Sequence, residues 1–288
     1  RVTAFSPTRS SPTPVQVSPS TTETSVASLT FVVSCPRSLG AAVLSQIVIA
    51  LPVDGTSKLP DPTNLASTAP PLASASISSS GTDVWTAVAG PAPNIFIFRT
   101  KTEQPVQIKD QSLTIRFTGI NVNTLVGTAL LTLSEWAATG SNPPPPISDP
   151  PSGTVQFAVA KFPYGFYAGN FTSDKPMVQN GQKPVLSWTG SVNAKYLMLY
   201  DENTVDVSTM RTWSPPQPLT KTTTFILRVS AQREGQTASI DFSITIEVGS
   251  PSLSAKDLTV LTNTNLKGAV TVGTSSAPAD LTLNGNLT

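Results

Sequence analysis

The 288-residue chain contains no histidine. That removes the side chain used most often as a general base near neutral pH, and the commonest transition-metal ligand. Hydrolysis by a Ser-His-Asp or Cys-His constellation is therefore excluded. There is one cysteine, Cys35, so no disulfide can form within the chain. A zinc site would have to be assembled from carboxylates and that single thiol. Charged residues make up only 12%, about half the usual share. The net charge is +1, and the lysines and arginines are scattered. Neutralising a phosphate backbone needs clustered cations, so nucleic acid is not an expected partner, and neither is an anionic membrane surface. No apolar run approaches the roughly 20 residues of a membrane span. The longest, Ile47-Val48-Ile49-Ala50-Leu51, has strand length. No phosphate-binding loop, dinucleotide Gly fingerprint or nucleophile elbow is present. No cofactor is expected.

What fills the gap is Ser, Thr, Asn, Pro and Ala, a mixture suited to strands with uncharged polar outer faces and many turns. The 27 prolines argue against long helices, because proline in a helix interior costs about 3 kcal/mol. The expected fold is all-β: two antiparallel β-sandwich domains joined by a Pro-rich linker, then a β-repeat oligomerisation tail. The chain opens at Arg1 without Met or a signal-like stretch, which is expected of a processed chain or a fragment.

Residues 1–24 read as an extended Ser/Thr/Pro arm, with one edge strand at Val15-Gln16-Val17 or none. Residues 25–140 read as the first sandwich, with strands at 26–34, 43–51, 84–88, 94–99, 112–117 and 127–136. Leu113-Thr114-Ile115-Arg116-Phe117 alternates cleanly, with Leu113, Ile115 and Phe117 inward. Ile95-Phe96-Ile97-Phe98 is apolar on both faces and reads as a central strand. Trp85 and Trp136 are assigned to this core. Cys35 follows Phe31, Val32 and Val33, which suggests a buried thiol at a strand end; a reactive or intermolecular thiol is the alternative. The Ser/Ala/Pro stretch 60–80 has no period and reads as a surface loop. The run of four prolines within 141–153 reads as a stiff polyproline spacer between modules.

The second sandwich is expected over 154–249. Val185-Leu186-Ser187-Trp188 is followed by Tyr196-Leu197-Met198-Leu199-Tyr200. Thr222-Thr223-Thr224-Phe225 opens a further strand, and an alternating run closes the segment at Val248. This order resembles bacterial immunoglobulin-like β-sandwich modules, with Gly181-Gln182-Lys183-Pro184 as the lead-in turn. The resemblance implies Trp188 as the core aromatic and says little about function, because such modules serve many.

Residues 250–288 read as a β-repeat tail. Asp257-Leu258-Thr259-Val260 is echoed by Asp280-Leu281-Thr282-Leu283, and both echoes are followed by Asn and Gly. The segment resembles the stalk repeats of phage tail fibres and trimeric appendages. About three or more stacked units are needed to bury a core, so two echoes need further chain or neighbouring copies. Leu258, Val260, Leu266, Val270, Val272, Leu281 and Leu283 are the expected oligomerisation residues, and a trimer is the simplest assembly.

Three functions remain open. The first is a non-enzymatic, extracellular or virion-type fibre that presents its sandwiches multivalently to a surface glycan or protein receptor. The second is a monomeric carbohydrate-binding or toxin-like protein. Tyr164, Phe166, Tyr167 and Trp213 are the candidate ligand contacts for either, with core and joint packing as the alternative role. The third is a glycosidase using two carboxylates. Asp201 and Glu202 are the nearest candidates, but neighbours on a strand face opposite ways. A solvated hairpin tip, or a calcium site shared with Asp206, competes with that reading.

Overall fold

The computed structural model describes residues 6–9, 14–35, 41–55, 60–67, 74–82, 84–140 and 142–249. The expected tail residues, Leu258 to Leu283, lie outside them. The described residues are strands and turns with no helix, so the all-β expectation holds. No helix among them is long and apolar enough to cross a membrane.

The first sandwich has two sheets. One runs β1 (Ser6–Arg9), β3 (Val26–Ser34), β9 (Ser112–Asn121) and β5 (Ser74–Ser79). The other runs β2 (Val15–Gln16), β11 (Gly153–Phe162), β10 (Gly127–Thr139), β4 (Ala42–Ala50), β7 (Ile95–Thr100) and β6 (Trp85–Ala89), with β8 (Val106–Ile108) also paired to β4. Leu113, Ile115 and Phe117 are fully buried as the alternation requires. Phe117 is met edge-on by Phe31, Phe96 and Phe98, at centroid distances of 6.2, 5.0 and 5.9 Å. Such offset ring contacts add to the area they bury. β9 runs past the expected end at 117 because Gly119, at φ 77°, lets the chain change phase. The register slips opposite Ala27–Leu29, and Ile120 returns inward.

Four expectations about this half need correction. The stretch 60–80 is not one loose loop. Ser74–Ser79 forms an edge strand with only Ala75 and Ile77 packed on the core, too few apolar residues to stand out. Leu65 and Ala66 are wholly buried and hydrogen-bonded to Pro52. The prolines of 141–153 do not separate modules: β10 and β11 pair antiparallel from Gly127↔Lys161 to Glu135↔Gly153, so the segment closes a hairpin. The expected domain boundary at 154 therefore falls inside the first sandwich. Trp136 is half-buried on the outer side, donating to the Asp149 carbonyl at 2.9 Å, whereas Trp85 is buried. Val15–Gln16 is an edge strand, parallel to β11. Cys35 is half-buried, and its thiol is raised above the ordinary range by burial, then by Glu135 and Asp110.

The second sandwich stacks β12 (Ala168–Ser173), β14 (Leu186–Gly190) and β17 (Thr212–Trp213) against β13 (Met177–Gln179), β19 (Gln236–Gly249), β18 (Thr223–Arg233), β15 (Lys195–Tyr200) and β16 (Asn203–Asp206). β13 runs parallel to β19, and the other pairs are antiparallel. Two consecutive short strands thus serve opposite sheets, as in an immunoglobulin-like sandwich. Trp188 is buried on β14 and stacks on Tyr196 at 6.4 Å. Tyr196 donates its hydroxyl to the Ser191 carbonyl at 2.8 Å, and Arg211 lies 4.5 Å over its ring. That fixed hydroxyl leaves no room beside Gly190. A Cβ there would stand 2.2 Å from the Tyr196 oxygen and 3.0 Å from the Tyr167 carbonyl. Gly190→Ala is expected to cost about 1–3 kcal/mol through overpacking, read as a lower urea midpoint with unchanged slope.

Candidate functional site

The two sandwiches are joined by Pro163–Tyr167, not by the proline run. Phe162 closes β11 in the first sandwich, yet its side chain belongs to the second core, as do those of Val17 and Val126. Phe162 and Phe166 stack at 4.2 Å with planes 10° apart. Gln16 clamps the joint from β2. Its amide donates to the Phe166 carbonyl at 2.8 Å, and its Oε1 accepts from the Gly165 amide at 3.0 Å. A short connector pinned at both ends by core residues holds the modules in contact.

This joint distributes the predicted contact residues unequally. Phe166 is 4% exposed and is a core residue, which corrects its assignment as a ligand contact. Tyr164 and Tyr167 point outward, 61% and 50% exposed. Tyr164 borders two adjoining grooves, one of about 530 Å³ beside β2 and β3, the other of about 290 Å³ beside Ser191 and Gln232. Tyr167 borders a third of about 640 Å³, with Phe171 and Phe242. Pro14 lines the first and third, so the two tyrosines border a strip of separate grooves that share lining residues. The Tyr167 hydroxyl shares a hydrogen bond with Thr189 Oγ1 at 2.9 Å and accepts from Asn170 Nδ2 at 3.2 Å. Asn170 sits at φ 54°, a left-handed conformation that Asn tolerates better than most residues. Trp213 is not part of this strip. It pairs with Leu186, four residues and roughly 13 Å along β14 from Gly190, and packs on Tyr200 and Phe225.

The carboxylates weighed for catalysis and for calcium, Asp201, Glu202 and Asp206, all lie on the β15–β16 hairpin, the first two at its turn and not on a strand. Asp201, at φ 47°, turns the β15–β16 hairpin and pairs with Lys221 at 3.2 Å. Asp206 accepts from the Ser208 hydroxyl at 2.6 Å and from its amide at 2.9 Å, which hold its carboxyl below the usual range. Among the described residues, no group of three or more Asp, Glu or Cys stands close enough to hold a metal ion.

A second polar cluster lies inside the first sandwich, and its residues drew no attention in the sequence. Lys161 on β11 is fully buried, beside Asn123 at 2% and Asp54 at 6% exposure. Its amine donates to the Asn64 carbonyl and to Asn123 Oδ1, the latter at 2.6 Å. Asn123 Nδ2 donates to the Asp61 carbonyl at 2.9 Å, the Asn64 carbonyl at 3.2 Å and Asp54 Oδ1 at 3.3 Å. Asp54 Oδ1 also accepts from the Asp61 amide at 2.9 Å and from Asn64 Nδ2 at 3.1 Å. Burial lowers the Lys161 amine to about 8, against the pull of Asp54 and Asp61. The signal in the sequence was a lone lysine after Phe157-Ala158-Val159-Ala160.

No protein-family model matches the chain, and neither does any curated protein sequence. Among solved structures it is similar to an ICAM-5 D1–D4 ectodomain fragment, at 12% identity and TM-score 0.25 over 84% of this chain and 46% of that one. It is also similar to a putative membrane anchored protein from Corynebacterium diphtheriae, at 16% identity and TM-score 0.25 over 88% and 55%. A titin immunoglobulin tandem matches at 8% identity and TM-score 0.22 over 84% and 96%. The chain thus spans about half the length of the first two. The fold assignment rests on the strand pairing described above.

Proposed function

We propose that this chain is a non-enzymatic, extracellular recognition protein whose docked sandwiches present an aromatic strip to a surface glycan. The observation that carries this reading is the exposure of Tyr164 and Tyr167 on a connector that Gln16 and Phe166 immobilise. Rigid aromatic anchors lose little conformational entropy on binding, and a ring face is suited to stacking on a sugar. The low charge favours hydrogen-bonded contacts that salt barely weakens. No cofactor enters.

The multivalent form of this reading assigns self-assembly to residues 250–288, most simply as a trimer on a cell or virion surface. With the proline run closing a hairpin, avidity would rest on that tail alone, and linked sites gain roughly 10²–10⁴ in apparent affinity. The monomeric form of the reading is favoured by the docked joint, which makes a single copy a preorganised surface. A glycan array with the full chain tests both. Tyr164→Ala and Tyr167→Ala are each expected to weaken binding about tenfold, the effect of losing an anchor residue. Unchanged binding in the double variant would end the aromatic-strip reading. Sedimentation of the intact chain separates the forms: a monomer at micromolar concentration rules out the multivalent one.

A further inference from the structure

We propose that Lys161 and Asn123 condense spontaneously into an intramolecular isopeptide bond that ties the two sheets of the first sandwich together. The proposal is independent of any ligand at the joint. Three observations carry it. First, the Lys161 nitrogen lies 2.6 Å from Asn123 Oδ1, so the amide carbon one bond beyond is at most about 3.8 Å away, close to attack distance. Second, the cluster is buried, which keeps out the water that would compete as a nucleophile. Third, a carboxylate already touches the leaving group: Asp54 Oδ1 accepts from Asn123 Nδ2 at 3.3 Å.

The step balances without any added reagent. The neutral Lys161 amine attacks the Asn123 side-chain carbonyl carbon and forms a C–N bond. Asp54 takes a proton from the attacking nitrogen and returns it to Nδ2, and the Asn123 C–N bond breaks with loss of ammonia. Donors to Asp54 and the carbonyls of Asp61 and Asn64 hold both reactants in place. The depressed basicity of the buried amine supplies a neutral fraction at neutral pH, which an exposed lysine lacks. The link would close a loop between residues 38 apart in sequence, joining the segment just after β9 to β11. A chain with a single cysteine has no disulfide within it to do that work.

The test is the intact mass of the full chain in denaturant, followed by peptide mapping. The expected result is a mass one ammonia below that of the sequence, a branched peptide containing both Asn123 and Lys161, and no tryptic cleavage after Lys161. D54N, with wild-type circular dichroism, is expected at full sequence mass. Should D54N fail to fold, K161R serves instead, since a guanidinium keeps the cation but is no nucleophile. Wild-type protein at full mass after prolonged incubation in the folded state would overturn the proposal. So would an ammonia loss confined to an Asn123 peptide that lacks Lys161, the mark of a cyclic imide. A linked D54N chain would overturn the part given to Asp54.

Discussion

Lys161→Met is expected to destabilise the protein by about 3–5 kcal/mol, the range for removing one partner of a buried charged cluster. Methionine keeps most of the stem volume, so the loss isolates the nitrogen. Without it, the Asn64 carbonyl keeps only Asn123 Nδ2 at 3.2 Å, Asn123 Oδ1 keeps only the Leu125 amide at 3.4 Å, and Asp54 is left as a buried carboxylate without the lysine. Each lost hydrogen bond costs about 0.5–1.5 kcal/mol, and the buried charge left without its partner carries the larger share. The nitrogen contributes whether it remains a cation or becomes an amide, so the sign of the effect does not depend on the proposed bond. Urea unfolding followed by circular dichroism reads the change. The same substitution in a D54N background is expected to cost less, because the uncompensated charge is gone. A Lys161→Met protein within about 1 kcal/mol of wild type would show the cluster to be dispensable.

The sequence carried the strands that alternate and hid those that do not. Leu113-Thr114-Ile115-Arg116-Phe117 and the closing run through Ile246 declare one wet face and one dry face, so period alone located β9 and β19. β5 reads Ser-Ala-Ser-Ile-Ser-Ser, and its serines masked an edge strand that buries little. Trp188 was assigned to the core through the resemblance to immunoglobulin-like modules, and it is buried on β14. The proline run misled for a physical reason: polyproline stiffness suits a hairpin closure as well as a spacer, and only the pairing of β10 with β11 distinguishes them. Of the candidate contacts, Tyr164, Phe166 and Tyr167 are close in sequence, but composition cannot tell which ring turns outward. Phe166 turned inward because Phe162, four positions earlier, offered a face to stack on. Asp54, Asn123 and Lys161 come from distant segments, and no local pattern joins them.

Phe162→Ala is expected to cost about 3–5 kcal/mol, the usual loss for removing a buried phenyl ring, and to do so in a way that separates the two modules. The ring is 1% exposed and sits in the second core while its backbone is paired in β11 of the first sandwich. Its removal opens a cavity beside Phe166, Val17 and Val126, the side chains that seal the joint. Docked modules that share a core unfold together, whereas modules joined only by a connector melt as separate units. Fluorescence distinguishes the two, because Trp85 and Trp136 report on the first sandwich and Trp188 and Trp213 on the second. Variants keeping one pair at a time should give coincident urea transitions in the parent protein and displaced ones after Phe162→Ala. The displaced transition should belong to the second sandwich, whose core has lost the ring. Small-angle scattering should register a larger radius of gyration before either transition begins. Coincident transitions with less than about 1 kcal/mol lost would mean that Gln16 and the connector dock the modules without the ring.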